Sequence, residues 1–199
     1  GFEVWDASFL AIADVALVGT AGGDGISVQD LSRLLCTGVV GLVGWRNGLL
    51  VIESGNAVIV NLSVSGCTAG TSAANCSSIN IYHGNLCGNV TGSITDRTSN
   101  MTMGGNSTVS GNTTGIYAKD NSFFSFANAT TLNVTGNTTG VSFGYQSYWG
   151  GTGLTLSGNG TDMLPDSAYQ SGTVYRQGLR LITTPVYANN AAAIAGGLG

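Results

Sequence analysis

The sequence predicts an all-β protein: a single-stranded, right-handed parallel β-helix of about six to seven rungs, ending in a short irregular tail. Three observations predict it. A seven-residue phrase recurs at nearly constant spacing. Apolar residues alternate in fixed columns on either side of it. Only 8% of residues are charged and 32 of 199 are Gly, so strong helix formers such as Glu and Lys are nearly absent.

The phrase reads Val64-Ser-Gly-Cys-Thr-Ala-Gly70, Leu86-Cys-Gly-Asn-Val-Thr-Gly92, Val109-Ser-Gly-Asn-Thr-Thr-Gly115, Val134-Thr-Gly-Asn-Thr-Thr-Gly140 and Leu156-Ser-Gly-Asn-Gly-Thr-Asp162. Looser copies stand at Leu42-Val-Gly-Trp-Arg-Asn-Gly48 and Leu17-Val-Gly19. The apolar anchors 17, 42, 64, 86, 109, 134 and 156 are 22 to 25 residues apart. A period of that size marks a solenoid in which each repeat stacks on the next.

Each repeat supplies three short strands. Before the phrase, Val40/Leu42, Leu62/Val64, Leu132/Val134 and Leu154/Leu156 alternate with a period of two, which is a strand facing a core. After it come Leu49/Val51, Thr71/Ala73, Ser93/Thr95, Ile116/Ala118 and Val141/Phe143, a second strand. The third carries Ala57/Ile59, Ile79/Ile81, Met101/Met103 and Phe124/Phe126. Gly and Asn in the phrase suit the turn between strands, because both tolerate left-handed backbone. Stacked rung on rung, Asn89, Asn112, Asn137 and Asn159 are expected to form an amide ladder.

The first rung enters through residues 1–19. Residues 26–36 are ambiguous: Ser27 with Asp30 resembles a capping box and Leu31, Leu34 and Leu35 have helical spacing, yet the 25-residue interval favours a wide rung with at most one helical turn. The β-helix is expected over 1–162. Residues 163–199 form the tail, with Met163–Tyr169 as an exit loop because Pro165 has no amide donor. Ser171–Ile182 alternates again and suits a short strand pair or an inter-subunit strand. Gly1 is not a natural start, which implies residues upstream.

Several function classes are disfavoured. A net charge of −4 argues against nucleic acid as a partner. No run of 18 apolar residues and no signal peptide is present, so no membrane insertion is expected. Cys36, Cys67, Cys76 and Cys87 lack metal-ligand spacing; Cys67 and Cys87 fall one rung apart and allow a disulfide, while reduced thiols filling a narrow core are the simpler reading. Ten Asn-x-Ser/Thr sequons occur, several within the turn phrase itself. No metal and no cofactor is expected.

The tail Pro185-Val-Tyr-Ala-Asn-Asn-Ala-Ala-Ala-Ile-Ala-Gly-Gly-Leu198 resembles the C-terminal region of bacteriophage tail-fibre and other virion proteins, including those of marine and cyanobacterial phages. The repeats are similar, more generally, to trimeric β-helical tailspikes and pectate-lyase-like folds. The resemblance implies a homotrimer in the virion, assembled in the host cytoplasm, bound to other tail proteins and contacting host surface polysaccharide. It places the 163–199 region between subunits. The chain stops at Gly199, short of the terminal segment of that pattern.

Two sets of residues are candidates for chemistry. Asp96 and Asp120, on adjacent rungs, have the approximate spacing of a retaining glycosidase pair. Their complementary neighbours Lys119 and Arg97 instead suggest a surface lattice pairing Asp96 with Lys119 and Arg97 with Asp120. His83 has no matched nucleophile, and no catalytic residue is assigned. Tyr117, Phe123, Tyr145 and Tyr148 are expected to face outward on the last rungs. Such rings suit the apolar faces of sugars, and equally a trimer interface. The expected function is host-glycan attachment; a tailspike polysaccharide depolymerase and a purely structural fibre spacer are the alternatives.

Overall fold

A computed structural model describes residues 1–20, 22–126, 129–144, 147–151, 153–165 and 179–181. These form twenty strands and no helix. Every strand pairing is parallel, each strand lying beside its counterpart one rung away. Seven rungs stack as a parallel β-helix.

One sheet takes the strand after each turn phrase: β1 (Phe2–Val4), β4 (Asp24–Val28), β6 (Asn47–Val51), β8 (Ala69–Ala73), β10 (Thr91–Thr95), β13 (Thr114–Ala118), β16 (Thr139–Phe143) and β19 (Thr161–Pro165). The second sheet carries the other two segments of each rung. They are separate in the first rung, as β2 (Phe9–Ile12) and β3 (Val15–Val18). They merge into one long bent strand in β5 (Arg33–Val43), β7 (Asn56–Ser65) and β9 (Ser78–Cys87). They divide again into β11 (Asn100–Met103) and β12 (Gly105–Ser110), β14 (Phe123–Phe126) and β15 (Ala129–Thr135), and β17 (Tyr148–Gly151) and β18 (Leu154–Ser157). Left-handed Gly105 marks the break in the fifth rung.

The three-strand repeat is therefore correct in its columns, but two of the strands are continuous in three rungs. Ile26, Leu49, Ile59, Ile79, Leu86, Met101, Met103 and Phe124 are all but inaccessible, and the alternating columns line one axial core. The helical alternative for 26–36 is not realised: β4 and β5 flank a turn at Asp30 and Leu31. Nor is 163–165 an exit loop. Met163 is buried, and β19 pairs with β16 through Phe143 opposite Pro165. Among the described residues β19 is an edge strand, where a residue lacking an amide donor is tolerated. Leu179–Leu181 (β20) extends the second sheet beside β18. Residues 166–178 and 182–199, including the proposed trimerising tail, lie outside the described residues.

Two kinds of turn hold the rungs. In the phrase, Gly44, Gly66, Gly88, Gly111, Gly136 and Gly158 take the positive φ, between 63° and 78°. Asparagine does not share that role; its side chain turns inward. At the opposite corner, pairs of ordinary residues are left-handed: Asp6-Ala7, Asp30-Leu31, Glu53-Ser54, Asn75-Cys76, Arg97-Thr98 and Asp120-Asn121. Left-handed backbone costs a non-Gly residue about 1–2 kcal/mol. Five of these corners recover an inter-rung bond, since Ala7, Leu31, Ser54, Cys76 and Thr98 donate their N–H to the carbonyls of Asp30, Glu53, Asn75, Arg97 and Asp120. Beneath the corner lies a buried serine column, Ser32, Ser77, Ser99, Ser122 and Ser147. Ser77 Oγ donates to the Ala74 carbonyl at 2.6 Å, and Ser99 Oγ accepts the Ser77 N–H at 3.1 Å.

Candidate functional site

The expected asparagine ladder is present and is structural. Asn112 Oδ1 accepts the Asn89 N–H at 2.8 Å, Asn137 Oδ1 that of Asn112 at 2.9 Å, and Asn159 Oδ1 that of Asn137 at 3.0 Å. Each Nδ2 donates backwards to the anchor carbonyl of the preceding rung: Asn89 to Val64, Asn112 to Leu86, Asn137 to Val109 and Asn159 to Val134. Four of the ten sequons therefore have buried amides committed to the fold.

Two other residue types close the ladder at its N-terminal end. Cys67 Sγ accepts the Trp45 N–H at 3.4 Å, and Trp45 Nε1 donates to the Leu17 carbonyl at 3.3 Å, the anchor position served by Asn Nδ2 elsewhere. All four cysteines are free thiols. Burial pushes Cys36 up to about 11 and raises Cys67, so both are inert.

The charged residues gather at the left-handed corner. Lys119 Nζ lies 3.4 Å from Asp96 Oδ2 and 4.0 Å from Asp120 Oδ2, while Arg97 Nε is 3.9 Å from Asp96. The expected Asp96–Lys119 pair is thus formed. Arg97 instead reaches back, with Nη1 donating to Asn75 Oδ1 at 3.4 Å. Asp120 is raised above its ordinary 3.8, first by desolvation and then by a hydrogen bond to Asp96 and its charge. Lys119 bridges the two carboxylates, the arrangement of a surface ion-pair cluster. Two rungs of the same corner carry a second pair, where Glu53 is raised by a hydrogen bond to Asp30 and by its charge. Among the described residues no cluster of three or more His, Cys, Asp or Glu is placed to hold a metal ion.

The four aromatic candidates do not form one described surface. Phe123 opens β14, is 40% exposed, and stands directly opposite Tyr148 of β17 in the parallel register. Tyr117 lies on β13 of the other sheet, across the Asp120–Asn121 corner, half-buried with Lys119 Nζ 5.8 Å from its ring centre. Tyr145 lies outside the described residues.

A second surface was not anticipated. Between the buried anchors, alternate residues of the second sheet point outward in three columns. The first is Asn61, His83, Asn106 and Thr131, the second Ser63, Asn85, Thr108, Asn133 and Thr155, the third Ser65, Cys87, Ser110, Thr135 and Ser157. A shallow open groove runs over the first two, lined by Val39, Asn61, Ser63, His83, Asn85, Asn106 and Thr108. Asn106 N–H donates to His83 Nδ1 at 3.3 Å, and Thr131 Oγ1 donates to Asn106 Oδ1 at 3.1 Å. With Nδ1 accepting, neutral His83 carries its proton on Nε2. The period of two that revealed the core also marks these positions, but only the stacked register shows that they form a continuous field.

No protein-family model, curated protein or solved structure matches this chain.

Proposed function

We propose that this chain is a segment of a phage tail fibre or tailspike that attaches the virion to host-surface glycan. The observation that carries the reading is the groove on the second sheet, an in-register field of amides, hydroxyls and one imidazole. Such groups exchange hydrogen bonds with sugar hydroxyls without requiring a fixed charge. Phe123, with Tyr148 beside it in register, offers a flat apolar face on the neighbouring segment of the same sheet. The parallel β-helix is compatible with this role, and the tail phrase at 185–198 resembles virion proteins. In this reading the chain works as a homotrimer joined to other tail proteins.

A depolymerase is the second reading, and one observation favours it: Asp96 Oδ1 is buried with no partner, beside an Asp120 whose proton affinity is raised by desolvation and by Asp96. Lys119, 3.4 Å from Asp96 and 4.0 Å from Asp120, weighs against a hydrolytic pair. Incubating the intact protein with purified host surface polysaccharide separates the readings. Retention without loss of polymer length, weakened by Phe123→Ala or Tyr148→Ala, supports attachment. Polymer shortening abolished by Asp120→Asn or Asp96→Asn makes the protein an enzyme. Neither binding nor shortening leaves the structural spacer.

A further inference from the structure

The outer field of the second sheet selects its occupant by what it lacks. From the third to the seventh rung its three columns contain no Asp, Glu, Lys or Arg; the first charge in register is Arg180, which follows Thr155 on β20 at the C-terminal end of the central column. Their side chains are Asn, Ser and Thr, with His83 and Cys87 as the only titratable groups. The cations of the first seven rungs are elsewhere. Arg46 is engaged by Asp24 at 2.9 Å, and Arg97 and Lys119 sit with Asp96 and Asp120 at the corner. Arg33 begins β5, next to the corner rather than in the columns.

Most of the exposed apolar surface also lies away from the columns. Phe2, Trp5, Phe9, Val18, Leu31, Val39 and Val43 are exposed and belong to the first two rungs, while Tyr82, Val90 and Phe123 are exposed further along, outside the three columns, with Tyr82 at their edge beside His83. Val39, Gly41 and Val43 stand in register with Asn61, Ser63 and Ser65, so the columns change from apolar to polar at the third rung. A protein interface draws its central area from aromatic, Met and Arg side chains. The field from the third to the seventh rung has none of these in its three columns. It is also uncharged, so it lacks the cations that would neutralise a polyanion.

We infer that the field takes a neutral, extended polysaccharide lying along the solenoid axis, a conclusion that rests on the attachment reading above. The repeat distance supports the axial direction. Rungs are spaced by about 4.8 Å, close to the advance of one pyranose ring in an extended chain. Successive sugars then meet equivalent groups: Ser63, Asn85, Thr108, Asn133 and Thr155 up the central column. A chain lying across the strands would meet at most three columns and would lose this match. His83 Nε2 supplies an outward N–H donor, fixed by the bond that Nδ1 accepts from Asn106.

The test is affinity electrophoresis of the intact protein through gels carrying a neutral mannan, a neutral β-linked glucan or polygalacturonate, at low and high NaCl. Retention by a neutral polymer, unchanged by salt, is expected. Asn85→Asp and Thr108→Asp should weaken it by roughly tenfold or more, as each puts an unpaired charge in the contact. Thr113→Asp, an exposed turn position off the field, should leave it unchanged. For oligosaccharides of the retained polymer, affinity should climb to about five or six sugars, the length of five rungs, and then level off. Retention by polygalacturonate alone, lost in salt, overturns the neutral occupant while leaving attachment standing. A plateau at two or three sugars overturns the axial placement. Retention by no polymer overturns this inference together with the reading on which it rests.

Discussion

Asn112 is bonded to Asn89 twice: its Oδ1 accepts both the Asn89 backbone N–H at 2.8 Å and Asn89 Nδ2 at 3.2 Å. Its own Nδ2 continues to the Leu86 carbonyl and to Asn137 Oδ1. One side chain thus ties its own rung to the rungs on either side. Asn112→Ala leaves the Asn89 N–H and the Leu86 carbonyl without their partner, and unpaired buried groups cost about 1–3 kcal/mol each. Urea unfolding should show a loss of roughly 3 kcal/mol or more. Asn112→Asp keeps the acceptor but turns a buried carboxylate oxygen toward the Leu86 carbonyl. That environment raises the folded-state pKa, so its deficit at neutral pH should shrink on acidification as the carboxyl becomes a donor.

The two glycines of the phrase are needed for different reasons, and alanine separates them. Gly88 has φ +63° and no atom within 4 Å of an added Cβ. Gly88→Ala should therefore cost only the backbone term, about 1–2 kcal/mol. An added Cβ at Gly92 would lie 2.5 Å from the Gly115 carbonyl oxygen and 2.8 Å from Val109 Cγ1. Gly92→Ala should lower the denaturation midpoint clearly more, because one rung must move away from the next. Equal effects at the two sites would contradict this division.

Thr98 is a β-branched residue held at φ 63° at the solvent-exposed corner. Glycine keeps the N–H that bonds the Asp120 carbonyl and removes the steric cost. Thr98→Gly should stabilise the fold by about 0.5–1 kcal/mol, the relief exceeding the added freedom of the unfolded chain. Thr113→Gly, at a turn position of ordinary φ, should destabilise it. Parallel thermal melts compare the two.

Asp120 has a folded-state pKa above its ordinary value through desolvation, then through Asp96. The folded protein consequently binds the proton more tightly than the unfolded chain. This group's contribution to stability therefore rises as pH falls through the carboxylate range and is lost as pH rises above the elevated value. Asp120→Asn removes the charge and retains a donor for Asp96, so it should raise the melting temperature at neutral pH. The difference from the parent should close in acid, where the parent is already protonated. A gap that widened in acid would contradict the shared hydrogen bond.

The solenoid was legible because each rung is short and repeats the same physical problem. Leu62/Val64 and Ile79/Ile81 alternate with the pleat of a strand, and a spacing of 22 to 25 residues between anchors fixes which residues stack. The inward asparagine column followed from that spacing. The corner did not, because Leu31 and Thr98 have no intrinsic preference for left-handed backbone; neighbouring carbonyls and the serines beneath impose it. Pro165 misled for a related reason: its missing donor matters only on the paired side of a strand, and only the sheet order puts it at an edge. The sequence alone established the period, the core columns and the low charge. Tertiary stacking decided that Ser63, Asn85 and Thr108 share one open face, that Tyr117 and Phe123 lie on different sheets, and that Asp120 meets Asp96 as well as Lys119. Such relations depend on rung-to-rung register and side-chain reach, which link residues more than twenty positions apart and are set by the packed core as a whole.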